Sequence, residues 1–230
     1  MLQINDIHTY YGSSYILQGV SLDVEDSKII GLLGRNGMGK TTLVHSVMGI
    51  TIPRKGRIIY NNSEITGKRS SQIARKGISI VPQGRQIFPS LTVMENLTVF
   101  YRWKKDGWDV EKILELFPPL KERLNHGGSQ LSGGEQQMLA IGRSLLTNPS
   151  LLLMDEPTEG LSPLFVNTVG NIIQKLKSEG MSILVVEQNL EFTLKYTEHV
   201  HILSQGKLVY SSSPQELETN HDIRSRYLGV

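Results

Sequence analysis

The stretch "KIIGLLGRNGMGKTT", Lys28 to Thr42, decides the fold. Its first half is an unbroken apolar run, the pattern of a strand buried on both faces of a parallel sheet. Its second half, from Gly34, fits Gly, four residues, Gly-Lys-Thr, placed directly after that strand and at the opening of a predicted helix. Glycines let the backbone curl so that successive N–H groups converge on one point, a cradle for phosphate oxygens. We therefore assign Gly34, Arg35, Asn36, Gly37, Met38, Gly39, Lys40, Thr41 and Thr42 to phosphate binding. Lys40 is expected to reach the β- and γ-phosphates, and the Thr41 hydroxyl to ligate Mg²⁺.

Outward from this loop, apolar runs recur in "ISIVP" (Ile78 to Pro82), "LLLMDEP" (Leu151 to Pro157) and "SILVVEQ" (Ser182 to Gln188). Helical patterns lie between them at about Lys40 to Met48, Glu135 to Leu146 and Leu164 to Ser178, an alternation that predicts an α/β fold. Two regions differ. "LQINDIHTYY" and "ILQGVSLDV" alternate polar and apolar residues, as half-exposed antiparallel strands do, and "HVHILSQGKLVYSSS" reads as a hairpin turning at Gln205–Gly206. Residues 86 to 148 lack strand signals and carry amphipathic pieces such as "DVEKILELF". The chain reads as one domain over 1–230: a core from 1–85 and 149–230 with an N-terminal antiparallel β subdomain, and an inserted helical subdomain at about 86–148.

A phosphate loop needs a carboxylate to organise Mg²⁺ and, in a hydrolase, a group to activate water. "LLLMDEP" offers both at the end of a buried strand: Asp155 for the metal, Glu156 to orient and polarise the attacking water. "QLSGGEQQMLAIGRSLL", Gln130 to Leu146, raises a separate question. Glycine costs about 1 kcal/mol relative to alanine inside a helix, so a pair of them at a helix start needs a reason. Ser132, Gly133 and Gly134 lie at the N-terminal end, where free N–H groups and the helix dipole favour an anion.

Bulk composition narrows the field. The 230 residues carry 24 basic and 22 acidic side chains, a net charge of +2, which argues against a general nucleic-acid binder. With no cysteine, disulfides and thiolate metal sites are excluded. "MLQINDIHTYYG" has neither a basic nor an apolar leader region, and no apolar run approaches the roughly 18 residues that span a bilayer. A cytoplasmic chain reaching a membrane only through a partner is the expectation.

The phosphate loop, then "LSGGE", then "LLLMDEP", in that order, closely resembles the ATP-binding subunits of ABC transporters, over essentially the whole chain. The resemblance implies that two such domains pair head to tail, and that Ser132, Gly133, Gly134 and Glu135 of one act on ATP held by the phosphate loop of the other. It implies that Tyr11 stacks on adenine and that Gln83 contacts Mg²⁺ and the attacking water. It also implies that the surface around Gly84 to Leu91 receives a permease helix. The expected partners are a second ATP-binding subunit, as homo- or heterodimer, two transmembrane permease subunits and, indirectly, an extracytoplasmic substrate-binding protein, at the cytoplasmic face of the membrane.

Two departures from the family pattern narrow the resemblance. The loop after Glu156 carries Ser162 where an Asp is usual, and "VVEQN" puts Gln188 where a γ-phosphate-contacting His is usual. Glutamine can donate a hydrogen bond but cannot carry charge. Together with "VPQGRQIFPSLTVMENL", "EGLSP" and the terminal "RYLGV", these resemble the shorter ATP-binding subunit of branched-chain amino-acid importers. Urea and short-amide importers use nearly the same subunit, and a soluble non-transport ABC ATPase is the reading from another class. Other signals weigh less. His199 and His201 share a strand face without a third metal ligand nearby, and "YRWKKDGWD" reads as a solvated helix end with snorkelling lysines.

Overall fold

The computed structural model describes residues 1–230. Two sheets form the frame. A four-stranded antiparallel sheet is built from β1 (Leu2–Tyr11), β2 (Ser14–Val24), β4 (Lys55–Tyr60) and the short β5 (Ser63–Glu64), in the order β2-β1-β4-β5. The second sheet combines β3 (Ile29–Leu33), β6 (Ile78–Val81), β7 (Leu151–Asp155), β8 (Ser182–Glu187), β9 (His199–Ser204) and β10 (Lys207–Ser212), in the order β10-β9-β3-β8-β7-β6. Within it β9, β3, β8, β7 and β6 run parallel, and only β10 is antiparallel. All five residues of β3 and of β7 are buried, and all six of β8, as the unbroken apolar runs predict.

Parallel register sends β3, β7 and β8 out of the sheet at one edge. Leu33 pairs with Glu187, and Asp155 with Val186, so the loops that follow these three strands meet there. From β3 the chain runs through the phosphate loop into α1 (Lys40–Val47). After β7 it enters α7 (Pro163–Ser178), and after β8 it enters α8 (Leu190–Tyr196). A turn at Gln205 and Gly206, both at positive φ, joins β9 to β10 where the hairpin was expected. Its glycine is forced by a close approach: a Cβ on Gly206 would lie 1.8 Å from the Ile16 carbonyl oxygen. Gly206 also donates to the Met38 carbonyl at 3.1 Å, so the hairpin buttresses the phosphate loop from behind.

The antiparallel sheet has two strands that the sequence pattern does not pick out, β4 and β5, joined by Asn61 and Asn62 at positive φ, the conformation of a tight two-residue hairpin. After β5 comes α2 (Ser70–Arg75), which leads into β6. Residues between β6 and β7 hold no strand; they form α3 (Val93–Thr98), α4 (Val110–Leu116), α5 (Pro118–Glu122) and α6 (Gly133–Leu145). One hydrophobic cluster runs from Leu97, Ile113 and Phe117 through Leu139 and Ile141 of α6 to Leu152, Ile183 and Val185 of the sheet. The helical segment thus shares its core with one sheet face. The opposite face packs β1, β2 and α1 through Ile4, Leu17, Leu43 and Val47. The chain closes with α9 (Pro214–Thr219), α10 (His221–Ile223) and a π-helical turn (Arg224–Leu228), beside β9.

Candidate functional site

The phosphate loop is held open by its glycines. Gly37 and Gly39 sit at φ +78° and +103°, a region that non-glycine residues rarely adopt. A Cβ on Gly34 would fall 2.5 Å from the Leu203 carbonyl oxygen. The N–H groups of Gly37, Gly39, Lys40, Thr41 and Thr42 have no protein acceptor, and α1 has no side-chain cap. Five free donors at a helix N-terminus form an anion cradle. Lys40 lies with it, almost wholly buried, its ammonium donating to the Arg35 carbonyl at 3.1 Å.

At the end of β7 the chain turns at Glu156, a non-glycine residue at φ +48°, whose N–H donates to the Val186 carbonyl at 2.8 Å. Such a conformation costs of order 1 kcal/mol or more and persists because the neighbouring strand holds it. It brings the Glu156 carboxylate into the middle of three loops. Lys40 Nζ lies 2.9 Å from Oε1. Gln188 Nε2 donates to Oε2 at 2.9 Å and to Asn36 Oδ1 at 2.5 Å. Gln83 Nε2 donates to the same Oε2 at 3.3 Å and to Glu159 Oε2 at 3.1 Å.

Asp155 is 2% exposed, and its Oδ1 has no hydrogen-bond partner. Burial pushes its carboxyl up to about 6; the Thr41 hydroxyl and Lys40 pull it down, while Glu156 and Glu159 add to the rise. A buried, unsatisfied carboxylate oxygen beside a hydroxyl and a phosphate cradle is the donor chemistry that suits Mg²⁺. The residues present fit the metal: Thr41 and Asp155 would hold it, while the Gln83 amide nitrogen is engaged by Glu156 and Glu159.

Tyr11 stands at the end of β1, 47% exposed. Its hydroxyl accepts from Thr51 Oγ1 at 3.3 Å and lies 3.5 Å from His45 Nδ1 of α1. These tethers leave the ring available for stacking beside the helix that the phosphate loop opens.

Ser132 caps α6. Its hydroxyl accepts from Glu135 N at 3.4 Å, and Glu135 Oε2 accepts from Ser132 N at 2.8 Å. Burial works to raise the Glu135 carboxyl, but its bonds to Ser132 and the charges of Arg123 and His126 bring it below the usual value. With both side chains engaged in capping, the free donors are the amides of Gly133 and Gly134. The glycine pair also has a steric reason that sequence reasoning missed. A Cβ on Gly134 would meet the Phe165 ring of α7 at 2.4 Å, and one on Gly133 would meet the Arg85 guanidinium at 3.2 Å.

Sequence reasoning also missed Glu159, which holds Gln83, and Glu187, which is buried under the loops after β7 and β8. Burial raises the Glu187 carboxyl against the donors of Thr158, Asn189 and Gln188. The signal available was an acidic residue closing the apolar run "SILVV". His199 and His201 are spent elsewhere: His199 Nε2 bonds Ser211 Oγ at 2.7 Å, and the two rings pack edge to face.

A parallel sheet that delivers a glycine cradle, a buried lysine and two carboxylates to one edge defines a P-loop ATPase. Residues 17–159 match the family model described as ABC transporter, and the chain belongs to that family. It is 43% identical, over the full length of both chains, to the "high-affinity branched-chain amino acid transport ATP-binding protein BraG" of Pseudomonas aeruginosa. It is 33% identical to the "lipopolysaccharide export system ATP-binding protein LptB" of Escherichia coli K12, over 95% of this chain and 93% of that one. Among solved structures, the nucleotide-free ATP-binding cassette of an ABC transporter superposes with a TM-score of 0.85 at 28% identity, covering 96% of this chain and 94% of the other.

Proposed function

We propose that this chain is the ATP-hydrolysing subunit of an ABC importer for branched-chain amino acids, acting at the cytoplasmic face of the membrane through permease partners. The observation that carries the hydrolytic reading is the convergence on Glu156 of side chains from three loops, Lys40, Gln83 and Gln188. The name and full-length similarity of BraG support the cargo. "EGLSP", "VVEQN" and "RYLGV" support the same branch.

Chemically, the chain works by positioning and charge neutralisation. Triphosphate entering the cradle gives the Lys40 ammonium a second anion, and its move towards the phosphates frees Glu156 Oε1. Glu156 then holds and polarises the attacking water, with Gln188 bridging it to Asn36 of the phosphate loop. Thr41 and Asp155 would hold Mg²⁺, which would supply neutralising charge at the phosphates. The Gly133 and Gly134 amides serve the ATP of a second ATP-binding subunit, and Tyr11 serves adenine.

The helical segment 86–148 is the arm that meets the permease. A groove of about 400 Å³ opens beside the loop carrying Gln83; it is lined by Met48, Ile80, Pro82, Phe88, Phe100 and Arg143. Phe88 and Phe100 are exposed there, an apolar rim suited to a short docking helix. No helix of the chain is long and apolar enough to cross a membrane.

The test is an affinity pull-down of tagged Glu156→Gln with Mg-ATP from detergent-solubilised native membranes, followed by mass spectrometry. Two permease subunits with a second ATP-binding subunit are expected, and uptake by the reconstituted complex should favour leucine over urea. Recovery of soluble partners alone would overturn the transporter reading; preferential urea uptake would overturn the cargo.

A further inference from the structure

Glu187 is the last residue of β8, 2% exposed, with no cation paired to it. A buried carboxylate is costly unless donors surround it, and this one has four. Thr158 donates to Oε1 through its N–H at 3.0 Å and its hydroxyl at 2.8 Å. The N–H groups of Gln188 and Asn189 donate to Oε2 at 3.1 and 3.3 Å. On the backbone side, the Glu187 carbonyl accepts from Gly34 N, the first residue of the phosphate loop, at 3.3 Å. One residue thus ties together the loops after β3, β7 and β8.

We propose that Glu187 is a positioning residue for hydrolysis, which locks the turn carrying Glu156 to the turn carrying Gln188 and so aims the Gln188 amide at Glu156 and Asn36. This role rests on the hydrolytic functions proposed above for Glu156 and Gln188. A packing role alone calls for an apolar or hydroxyl side chain. A carboxylate with two acceptor oxygens, each facing a different loop, is instead a fixed-length tie. Gln188 is uncharged, so its contribution depends on direction alone, and a misplacement near 1 Å at such a site costs about 100-fold.

Glu187→Gln keeps the shape but replaces one acceptor oxygen with an NH₂, so whichever way the amide turns, either the Thr158 N–H or those of Gln188 and Asn189 lose their acceptor. Thr158→Val removes one bond from the other end of the tie. Hydrolysis of Mg-ATP by the full chain, with kcat and KM resolved, is compared for both variants, for Gln188→Ala and for Glu187→Gln with Gln188→Ala. The expected result is a kcat lower by about 10- to 100-fold in Glu187→Gln and by a few-fold in Thr158→Val. KM for ATP should stay within about threefold, and adding Gln188→Ala should cost less than about threefold more. Unchanged kcat, a loss shared equally by KM and thermal stability, or fully multiplicative losses with Gln188→Ala would each overturn the assignment. Glu156→Gln, run in parallel, separates the two levels. Wild-type turnover there sinks the hydrolytic reading itself, whereas an inactive Glu156→Gln beside a fully active Glu187→Gln sinks only the role of Glu187.

Discussion

Lys40 Nζ and Glu156 Oε1 lie 2.9 Å apart, an ion pair between two almost wholly buried side chains from different loops. Each neutralises the other. Under the proposed function, triphosphate would not enter a site of free positive charge: it would compete with a carboxylate for the lysine. Binding and catalytic readiness would then be one exchange, since the movement that brings Lys40 to phosphate would release Glu156 for water.

Glu156→Gln removes the lysine's partner and the proposed base together. ATP affinity should be equal or higher by up to about tenfold, while turnover falls by about 10²- to 10⁴-fold, the usual contribution of general base catalysis. Equilibrium nucleotide binding and single-turnover hydrolysis on the same preparation check both halves. Weaker binding would show that the ion pair assists the nucleotide rather than opposing it.

Gln188 spans 2.5 Å to Asn36 and 2.9 Å to Glu156 as a neutral donor. Gln188→Ala is expected to lower kcat by about 10- to 100-fold with a smaller effect on KM, the pattern of an interaction made chiefly in the transition state. Gln188→His, which keeps a ring N–H donor, should recover to within about threefold of wild type near neutral pH. Failure of histidine to rescue would mean that both glutamine bonds are required at once.

The Gly134 position admits no Cβ while the Phe165 ring lies against it. Gly134→Ala should destabilise the chain by about 1–3 kcal/mol through overpacking. In a Phe165→Ala background the same change should be neutral or mildly stabilising, because alanine is the better helix former. Urea melts of the four proteins give the coupling directly, and additive effects would remove Phe165 as the cause.

His201 is buried, its Nδ1 has no partner, and burial with His199 nearby lowers its pKa to about 4. The unfolded chain protonates this ring near 6.5, the folded chain only near 4. Between those values the unfolded state binds more protons, so stability present above pH 6.5 is lost on acidification, by up to roughly 3 kcal/mol for this group. His201→Gln should flatten the dependence of the urea midpoint on pH between about 7 and about 5, relative to wild type. An unchanged pH slope would assign the acid sensitivity to other groups.

The strands of the parallel sheet, and the placing of the glycine loop, Asp155 and Glu156 at their ends, were legible because each is written in contiguous residues: an apolar run, then glycines or acids at its end. β4 and β5 were not, since "KGRIIY" is short and half-exposed and its turn is two asparagines rather than a glycine signal. Contacts that depend on tertiary register were likewise invisible. Nothing in "LSGGE" announces Phe165, far along the chain on another helix, and nothing local in "VVEQN" says that Glu187 faces Thr158. The helical segment read correctly as strand-free, yet its sharing of a core with the sheet follows from packing that no local pattern encodes.

In the head-to-tail pair of the proposed function, the loop after β6 would stand between two sites. Gln83 donates to Glu156, the group proposed above to activate water, while Arg85 donates to the Glu159 carbonyl at 3.4 Å with its guanidinium against Gly133. Under head-to-tail pairing, Gly133 belongs to the neighbour's ATP. Gly84 alone separates the side chain that contacts Glu156 from the one whose guanidinium lies against Gly133. In that proposed pair, cross-talk between the two turnovers would have a route from Gln83 to Arg85.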